Sequence, residues 1–225
     1  MGMKKRVLAA VLAAAMTLGA AASAFAATGS PQPTPEPDKK NYIDINSQDH
    51  GKIVVTSEIT NNKGHVTKIT SSADSSAKSK VVTLRVARNV KNKQVPITYV
   101  GDGTKGIFDN KTGRNVTRLN LKSTPKWMVL RKNSFKNSNV NKVVVSKGTK
   151  VNFKKDAFKS TKKKSAQITL NVNKSADIKA SKGAFSGLDK NATVIIRSKK
   201  HSTYTILKKK LVAAGFKGKI TWKQV

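Results

Sequence analysis

Residues Ser181–Lys200 have the sequence SKGAFSGLDKNATVIIRSKK, in which a single phenylalanine, Phe185, precedes an apolar pair, Val194 and Ile196. Residues at i and i+2 of a β-strand point to the same face of the sheet. The pair therefore indicates a short, half-buried strand. One aromatic residue beside one strand defines no fold, so the value of this stretch depends on whether the pattern recurs.

The pattern occurs at four places in the second half of the chain. The phenylalanines are separated by 27, 23 and 27 residues, and each is followed by an apolar i, i+2 pair. The phenylalanines are Phe108, Phe135, Phe158 and Phe185, and the pairs are Leu119/Leu121, Val143/Val145, Ile168/Leu170 and Val194/Ile196. The preceding residue is small in three copies (Ser134, Ala157 and Ala184), which indicates close contact between neighbouring copies.

This repeat length predicts a fold. Repeats of about 20–29 residues are typical of leucine-rich-repeat solenoids, whose repeats bury their apolar sides by stacking on one another. We predict a mainly β fold with short helical turns. It is a short leucine-rich-repeat solenoid with an N-terminal β-hairpin region and a C-terminal helix-strand cap. Its coils span residues 101–199, and the four phenylalanines form the structural core.

Residues 42–100 have the pattern of an N-terminal β-strand region. The runs GKIVVTSEI and GHVTKITSS flank TNNKG, whose asparagines and glycine indicate a hairpin. The run VVTLRVARNV places Val82, Leu84 and Val86 at alternate positions, as in a half-buried strand. No helix of any length is predicted in this region.

Residues 200–225 have the pattern of a C-terminal helix and strand. HSTYTILKKKLVAAGF predicts a helix with Ser202 as N-cap and Gly215 at the C′ position. One helical face carries Tyr204, Leu207, Leu211 and Ala214. GKITWKQV follows as a last strand, and the whole segment is expected to cover the last coil.

The N-terminus has the features of an export signal. Residues 1–27 combine the charged start MGMKKR with an alanine-rich apolar run and small residues, AFA, at Ala24–Ala26. This pattern predicts a secretory signal peptide cleaved near Ala26 or Ala27. Residues 28–41 contain four of the six prolines and predict an extended linker. The protein is therefore expected to be secreted or associated with the cell surface, with no transmembrane segment in the mature chain.

The charge of the chain is strongly positive. Lys and Arg number 45 against 11 Asp and Glu, which gives a formal net charge of +34, and +31 without Lys4, Lys5 and Arg6. Lysine dominates, with 38 residues against 7 arginines. Because arginine and stacking aromatics carry most specific nucleic-acid recognition, this skew disfavours such recognition. Two interpretations of the lysines stay open: solubility of an exported surface, and electrostatic attraction to an anionic polymer. The absence of cysteine excludes disulfides and thiolate chemistry.

The chain resembles the BspA-type leucine-rich-repeat proteins of bacterial surfaces. The resemblance rests on VVTLRVARNVKNKQVPITYVGDGTKGIF, on KNSFKN, KDAFKS and KGAFSG, and on NATVIIRSKKHSTYTILKKKLVAAGF, and it covers residues 81–217. The chain departs from the family in having Ile107 before the first phenylalanine and in lacking the usual cysteine after the later ones. The resemblance implies a binding scaffold, adhesins included, with no catalytic residue.

No pattern of catalytic or metal-binding residues emerges from the sequence. His50, His65 and His201 lie far apart in polar contexts, and no metal-ligand spacing is present. Asp102 and Asp109 could bracket a calcium loop, but Lys105 lies between them. We therefore predict no enzyme activity, no cofactor and no metal.

The predicted binding surface lies on the strands. The residues between the inward pairs form a neutral exposed row: Asn120, Val144, Thr169 and Ile195. Basic residues flank this row and occupy one turn: Arg118, Lys122, Lys142, Arg197, Lys162, Lys163 and Lys164. The alternative is that the row is merely solvated, or that it packs on the N-terminal strands.

Three functions are compatible with these features. The first is a secreted, non-enzymatic binding or adhesion scaffold that recognises an anionic polymer or protein at a cell surface. The second is a structural module of the cell envelope that binds wall polymers. The third, disfavoured by the lysine excess and the few aromatics, is an extracellular cationic nucleic-acid-binding protein.

Overall fold

The computed structural model describes residues 38–44, 53–60, 63–71, 81–88, 94–122 and 126–225. All of them belong to one compact unit, residues 37–225. The predicted signal peptide and residues 28–37 of the predicted linker lie outside the described residues. The first described strand begins at Asp38, within the segment predicted as linker. No helix in the described part of the chain is long and apolar enough to cross a membrane.

The described residues form mostly short strands and few helices. In the first half, the strands are β1 (Asp38–Asp44), β2 (Ile53–Thr60), β3 (Lys63–Ser71), β4 (Val81–Leu84), β5 (Val86–Arg88) and β6 (Gln94–Val100). In the second half, they are β7 (Arg118–Leu121), β8 (Trp127–Leu130), β9 (Lys142–Val145), β10 (Lys150–Phe153), β11 (Gln167–Asn171), β12 (Ile178–Ala180), β13 (Thr193–Ser198) and β14 (Lys219–Gln224). The helices are α1 (Lys111–Asn115), α2 (His201–Ala213) and a 3₁₀ turn, Ser175–Asp177.

The strands form two sheets. Sheet A has the order β1-β2-β3-β6-β8-β10-β12, with β5 paired to β6, and sheet B has the order β14-β13-β11-β9-β7-β4. Sheet B is parallel throughout, and sheet A is parallel from β3 to β12. Strands β2 and β3 pair antiparallel, as expected for the predicted hairpin. From β7 to β13 the chain alternates between the sheets, so each repeat contributes one strand to each sheet.

The predicted leucine-rich-repeat solenoid is wrong. The structure has two parallel sheets that are not curled, in an α/β-like arrangement with few helices. The second strand of each repeat, β8, β10 or β12, lies where the sequence pattern predicts a turn or helical segment. These strands have only three or four residues. An apolar alternation of that length, between lysines, is too short to distinguish a strand from a loop.

The core contains a stack of aromatic rings. Phe108, Phe135, Phe158 and Phe185 are all buried. Consecutive ring centroids lie 5.7, 4.2 and 5.7 Å apart, and the rings of Phe135 and Phe158 are nearly parallel, at 8°. Phe216 meets the end of the stack edge-on, 5.6 Å from Phe185. The distances of 5.6 and 5.7 Å lie within the range of about 4.5–7 Å that favours aromatic pairs, and the Phe135–Phe158 pair is closer, at 4.2 Å. Neighbouring repeats are therefore joined by rings as well as by strand pairing.

The turns that carry these rings stack through their backbones. Asn133, Asp156 and Gly183 occupy equivalent positions two residues before a phenylalanine, and all three have left-handed φ values of 61°, 62° and 78°. The N–H of Asn133 donates to the Asp156 carbonyl at 2.9 Å, and the N–H of Asp156 donates to the Gly183 carbonyl at 3.0 Å. The turns are therefore in register, and residues at equivalent positions line up across sheet A.

Helix α2 and β14 close one end of the molecule. The N-cap of α2 is Lys200, without a side-chain capping bond, so the predicted Ser202 cap is wrong. Gly215 adopts φ 89°, as expected at C′. The N–H groups of Gly215 and Phe216 donate to the carbonyls of Val212 and Leu211 at 2.9 and 3.0 Å, which is the Schellman arrangement. This turn directs buried Phe216 onto the aromatic stack.

Candidate functional site

The predicted neutral row is a continuous line on sheet B. Register pairs Asn120 with Val144, Val144 with Thr169, and Thr169 with Ile195. Thr83 and Thr221 extend the same line on either side. The structure therefore brings the four predicted residues together on one face.

The polar side chains of this row are largely buried or hydrogen-bonded to neighbouring side chains. Thr169 is only 8% exposed. The Nε of Arg118 donates to Asn120 Oδ1 at 3.0 Å, and Asn120 Nδ2 donates to Thr83 Oγ1 at 3.2 Å. A ligand would have to replace these bonds, so the row offers little free hydrogen-bonding capacity.

The predicted basic residues around the row do not form one patch. Arg118 and Lys142 are neighbours in register at the start of β7 and β9. Lys122 follows the carboxyl end of β7, whereas Lys162, Lys163 and Lys164 are exposed in the loop that precedes the amino end of β11. Arg197 lies near the carboxyl end of β13 and lines a cleft of about 320 Å³ with Lys147, Lys199 and Asn171. These cations are therefore divided between opposite ends of the sheet B strands.

A larger concentration of positive charge lies where the parallel strands of sheet A end. A cleft of about 610 Å³ follows the carboxyl ends of β6, β8 and β10, and its basic lining residues are Arg131, Lys132, Lys154 and Lys155. A second cleft of about 650 Å³ lies beside β12 and α2, and its basic lining residues are Lys154, Lys179, Lys182 and Lys210. Both clefts are lined by Lys154 and Ser181, so they adjoin each other and are described together as one depression.

We call this depression the basic groove and define it by seven side chains: Arg131, Lys132, Lys154, Lys155, Lys179, Lys182 and Lys210. The six lysines are exposed, and Arg131 is half-buried. Two carboxylates, Asp102 and Asp156, also line it, both in the cleft beside β6. The positive charge of the groove therefore increases from the β6 end towards β12 and α2.

Aromatic rings hold two of these cations in place. The guanidinium carbon of Arg131 lies 4.4 Å from the centroid of the Tyr99 ring, and Lys179 Nζ lies 4.6 Å from the centroid of the Trp127 ring. Both distances are within the range of a cation–π interaction. One face of each ring is thus covered by a cation of the protein itself.

The carboxylate of Asp102 is held by its own loop. Its Oδ1 accepts bonds from the N–H groups of Thr104 and Lys105 at 2.7 and 2.8 Å, and from Thr104 Oγ1 at 2.9 Å. Burial raises the pKa of Asp102, but these hydrogen bonds and the nearby His65 outweigh it, so the pKa is lowered overall. This bonding leaves the Oδ1 atom little capacity for a metal ion.

The other aspartate and two of the histidines considered as metal ligands make contacts within the fold. Asp109 pairs with Arg114 at 3.0 Å and accepts from Asn137 Nδ2 at 2.9 Å. His65 Nε2 lies 2.6 Å from the Gly101 carbonyl oxygen, and the His201 ring lies 4.8 Å from that of Trp222. His50 is outside the described residues. Within the described ranges, no three His, Asp or Glu side chains are grouped so as to hold a metal.

Sequence reasoning missed the basic groove, although a signal was present. A lysine lies three residues before Phe135, Phe158 and Phe185: Lys132, Lys155 and Lys182. In a chain with 38 lysines this recurrence is easily overlooked. It becomes informative once the turns are known to stack, because equivalent positions then become neighbours.

Comparison of the chain with protein-family models, curated proteins and solved structures finds no match. The functional interpretation therefore rests on the residues of this chain alone.

Proposed function

We propose that this protein is a secreted, non-enzymatic binding scaffold whose basic groove recognises an anionic polymer at a cell surface. The observation that carries the proposal is the groove itself, which is lined by seven basic side chains and only two carboxylates. One of these carboxylates, Asp102, is already hydrogen-bonded within its loop. The N-terminal leader pattern, residues 1–27, supports export with cleavage near Ala26 or Ala27.

The physical basis of such binding is electrostatic. A polyanion carries condensed counterions, and lysines that neutralise its charges release them, so affinity falls as salt rises. Lysine is a hydrated point charge that imposes little geometric selection on its anion. We therefore expect binding that depends on charge density more than on the exact chemistry of the polymer.

Two alternative functions, a cell-envelope module and a nucleic-acid-binding protein, differ from the proposed one in the ligand that they bind. A cell-envelope module would bind the wall polymers of its own cell through the same groove, and binding to purified poly(glycerol phosphate) would support it. Nucleic-acid binding would use exposed aromatic faces for base stacking. Because Arg131 and Lys179 already cover one face of Tyr99 and of Trp127, the geometry favours a polymer without bases.

Two variants with the same change of charge test the proposal. One replaces Lys154, Lys155 and Lys182 of the groove by Gln, and the control replaces Lys162, Lys163 and Lys164, which lie outside it. Binding to poly(glycerol phosphate) is measured by titration calorimetry between 50 and 200 mM salt. Loss of three lysine contacts should lower affinity about tenfold or more. In a plot of log affinity against log salt concentration, the slope should become shallower by roughly 2, because each neutralised charge contributes about 0.7 to it.

The control variant should change affinity by only a few-fold, through net charge. Equal losses in both variants would mean that the lysines act only as a diffuse charge, and the groove would then have no binding function. Single-stranded DNA of matched charge serves as the competitor. If it binds more tightly than poly(glycerol phosphate), the nucleic-acid function becomes the better interpretation.

A further inference from the structure

The lysines of the groove are arranged in lines that run across the strands. The N–H groups of Arg131, Lys154 and Ser181 donate to the carbonyls of Val100, Leu130 and Phe153 at 3.0, 3.0 and 2.9 Å. Each bond joins the residue after one strand to the end of the preceding strand in sheet A. Arg131, Lys154 and Ser181 therefore occupy equivalent positions, which we call the inner row.

The next residue of each repeat forms a second line, the outer row: Lys132, Lys155 and Lys182. The turns that follow them are held in register by the backbone bonds between Asn133, Asp156 and Gly183. All three lysines are exposed. Neighbouring strands of a sheet are about 4.8 Å apart, so each row presents its positions at about that interval.

We infer that the groove binds a linear, unbranched polyanion that lies across the strands, with its charges distributed along the two rows. This inference rests on the proposed function and adds the shape and direction of the ligand. From β8 to β12 the two rows span two strand intervals, or about 10 Å. A compact anion would contact one or two positions at a time, whereas an extended chain contacts every repeat at once.

The rows also give the groove a direction. Gly101 N–H donates to the Val66 carbonyl in the same way as Arg131 N–H donates to the Val100 carbonyl, so Gly101 is equivalent to Arg131. The next residue, Asp102, is therefore equivalent to Lys132 in the outer row, on the β6 side. At the opposite end, Lys182 is joined by Lys179 and Lys210. The polymer should therefore be held most strongly at the β12 end, and lysines there should matter more than those near β6.

Ser181 is the position of the inner row without a positive charge. It is half-buried and lines both clefts. Its repeat equivalents, Arg131 and Lys154, both carry long basic side chains. Ser181→Lys should therefore complete the row, and Ser165→Lys, which adds the same charge in an exposed loop outside the groove, is the matched control.

The experiment measures binding of inorganic polyphosphate of defined length to the full-length secreted protein by competition anisotropy. Affinity per chain should rise at least tenfold between triphosphate and a chain that spans the groove, and then level off. Inositol hexakisphosphate, which is compact, should bind at least tenfold more weakly than a linear chain of six phosphates. Ser181→Lys should tighten binding of the long chain several-fold and increase the salt slope by about 0.7, and Ser165→Lys should not.

Two results would overturn the inference. One is equal binding of the compact and linear hexaphosphates, and the other is equal effects of Ser181→Lys and Ser165→Lys. Either result could occur while the groove glutamine variant still loses binding and its control does not. In that case the groove remains the binding site and only the extended geometry is wrong. Equal losses in the two glutamine variants would instead reject the proposed function.

Discussion

At the residue scale, the repeat is specified by one large and one small side chain. Phe158 lies between Phe135 and Phe185 and also approaches Phe153, with centroids 6.1 Å apart. Ala157, immediately before it, is fully buried. A larger residue at that position would separate the turns whose backbones are bonded to each other. The small residue and the phenylalanine therefore act as one unit of packing.

Phe158→Ala should strongly destabilise the fold because the ring has aromatic neighbours on both sides and the cavity cannot easily collapse. The expected loss in free energy of unfolding is about 3–5 kcal/mol. Lys163→Ala, at an exposed position, should change it by less than about 0.5 kcal/mol. Urea unfolding at equilibrium measures both. Small and equal losses would contradict the role assigned to the stack.

Asp102 provides a test that depends on pH. Its pKa is lowered in the folded protein relative to the ordinary value of 3.8, so its ionised form favours the folded state. This contribution is present above the unfolded-state pKa and is lost as pH falls through the folded-state pKa. Asp102→Asn should therefore reduce stability at pH 7, and the difference from the parent should shrink below about pH 4. Urea unfolding at pH 7 and pH 3 checks this, and a difference independent of pH would contradict it.

At the element scale, α2 covers the last repeat through a narrow face. Thr203, Leu207 and Leu211 are buried, whereas Ile206 and Val212 are 46% and 56% exposed. The helix is therefore anchored by residues at i, i+4 and i+8. Its C-terminal turn then delivers Phe216 to the ring of Phe185.

Leu211→Ala should lower the free energy of unfolding by about 2–5 kcal/mol, because the removed atoms lie in the core under α2. Its neighbour gives a matched control. Val212→Ala removes apolar atoms from an exposed position and should change stability by no more than about 0.5 kcal/mol. Thermal and urea unfolding would show the contrast, and similar losses for the two variants would mean that α2 does not seal the core.

The sequence predicted the phenylalanine core and the line Asn120–Val144–Thr169–Ile195, because both follow from strict periodicity. A period of two within a strand fixes which residues face inward, and equivalent strands then align. The strands β8, β10 and β12 could not be recognised, since three or four residues carry too little alternation. Their omission led to the wrong fold and also concealed the groove, which is built at their carboxyl ends.

At the scale of the whole molecule, the excess of positive charge is poorly compensated. The formal net charge is +34 for the full sequence. Carboxylates number 11 in the chain, and Asp102, Asp109 and Asp156 are engaged in local hydrogen bonds. A net charge far from zero keeps a protein soluble but destabilises the compact state through self-repulsion. Binding of a polyanion, as proposed above, would relieve that repulsion.

Salt should therefore stabilise the free protein. Raising NaCl from about 10 to about 150 mM shortens the Debye length from about 30 to about 8 Å, which screens repulsion between lysines on different repeats. The melting temperature, followed by calorimetry, should rise by several degrees over this range. It should rise less in the groove variant with three glutamines, which has less repulsion to screen. A melting temperature insensitive to salt would show that the charges are too dispersed to affect folding.

The alternation of the chain between the two sheets makes length an adjustable property of this molecule. Every interior repeat offers the same backbone donors, the same ring and the same lysine to its neighbours. Residues 135–157 extend from one phenylalanine to the residue before the next, and their removal would place Phe158 directly after Ser134, a junction that the chain already uses. Duplication of a whole repeat would thus lengthen the groove by one strand, and loss of a repeat would shorten it by one strand. Neither change would require a new core. Such a gene could evolve specificity for ligand size simply by changing its repeat number.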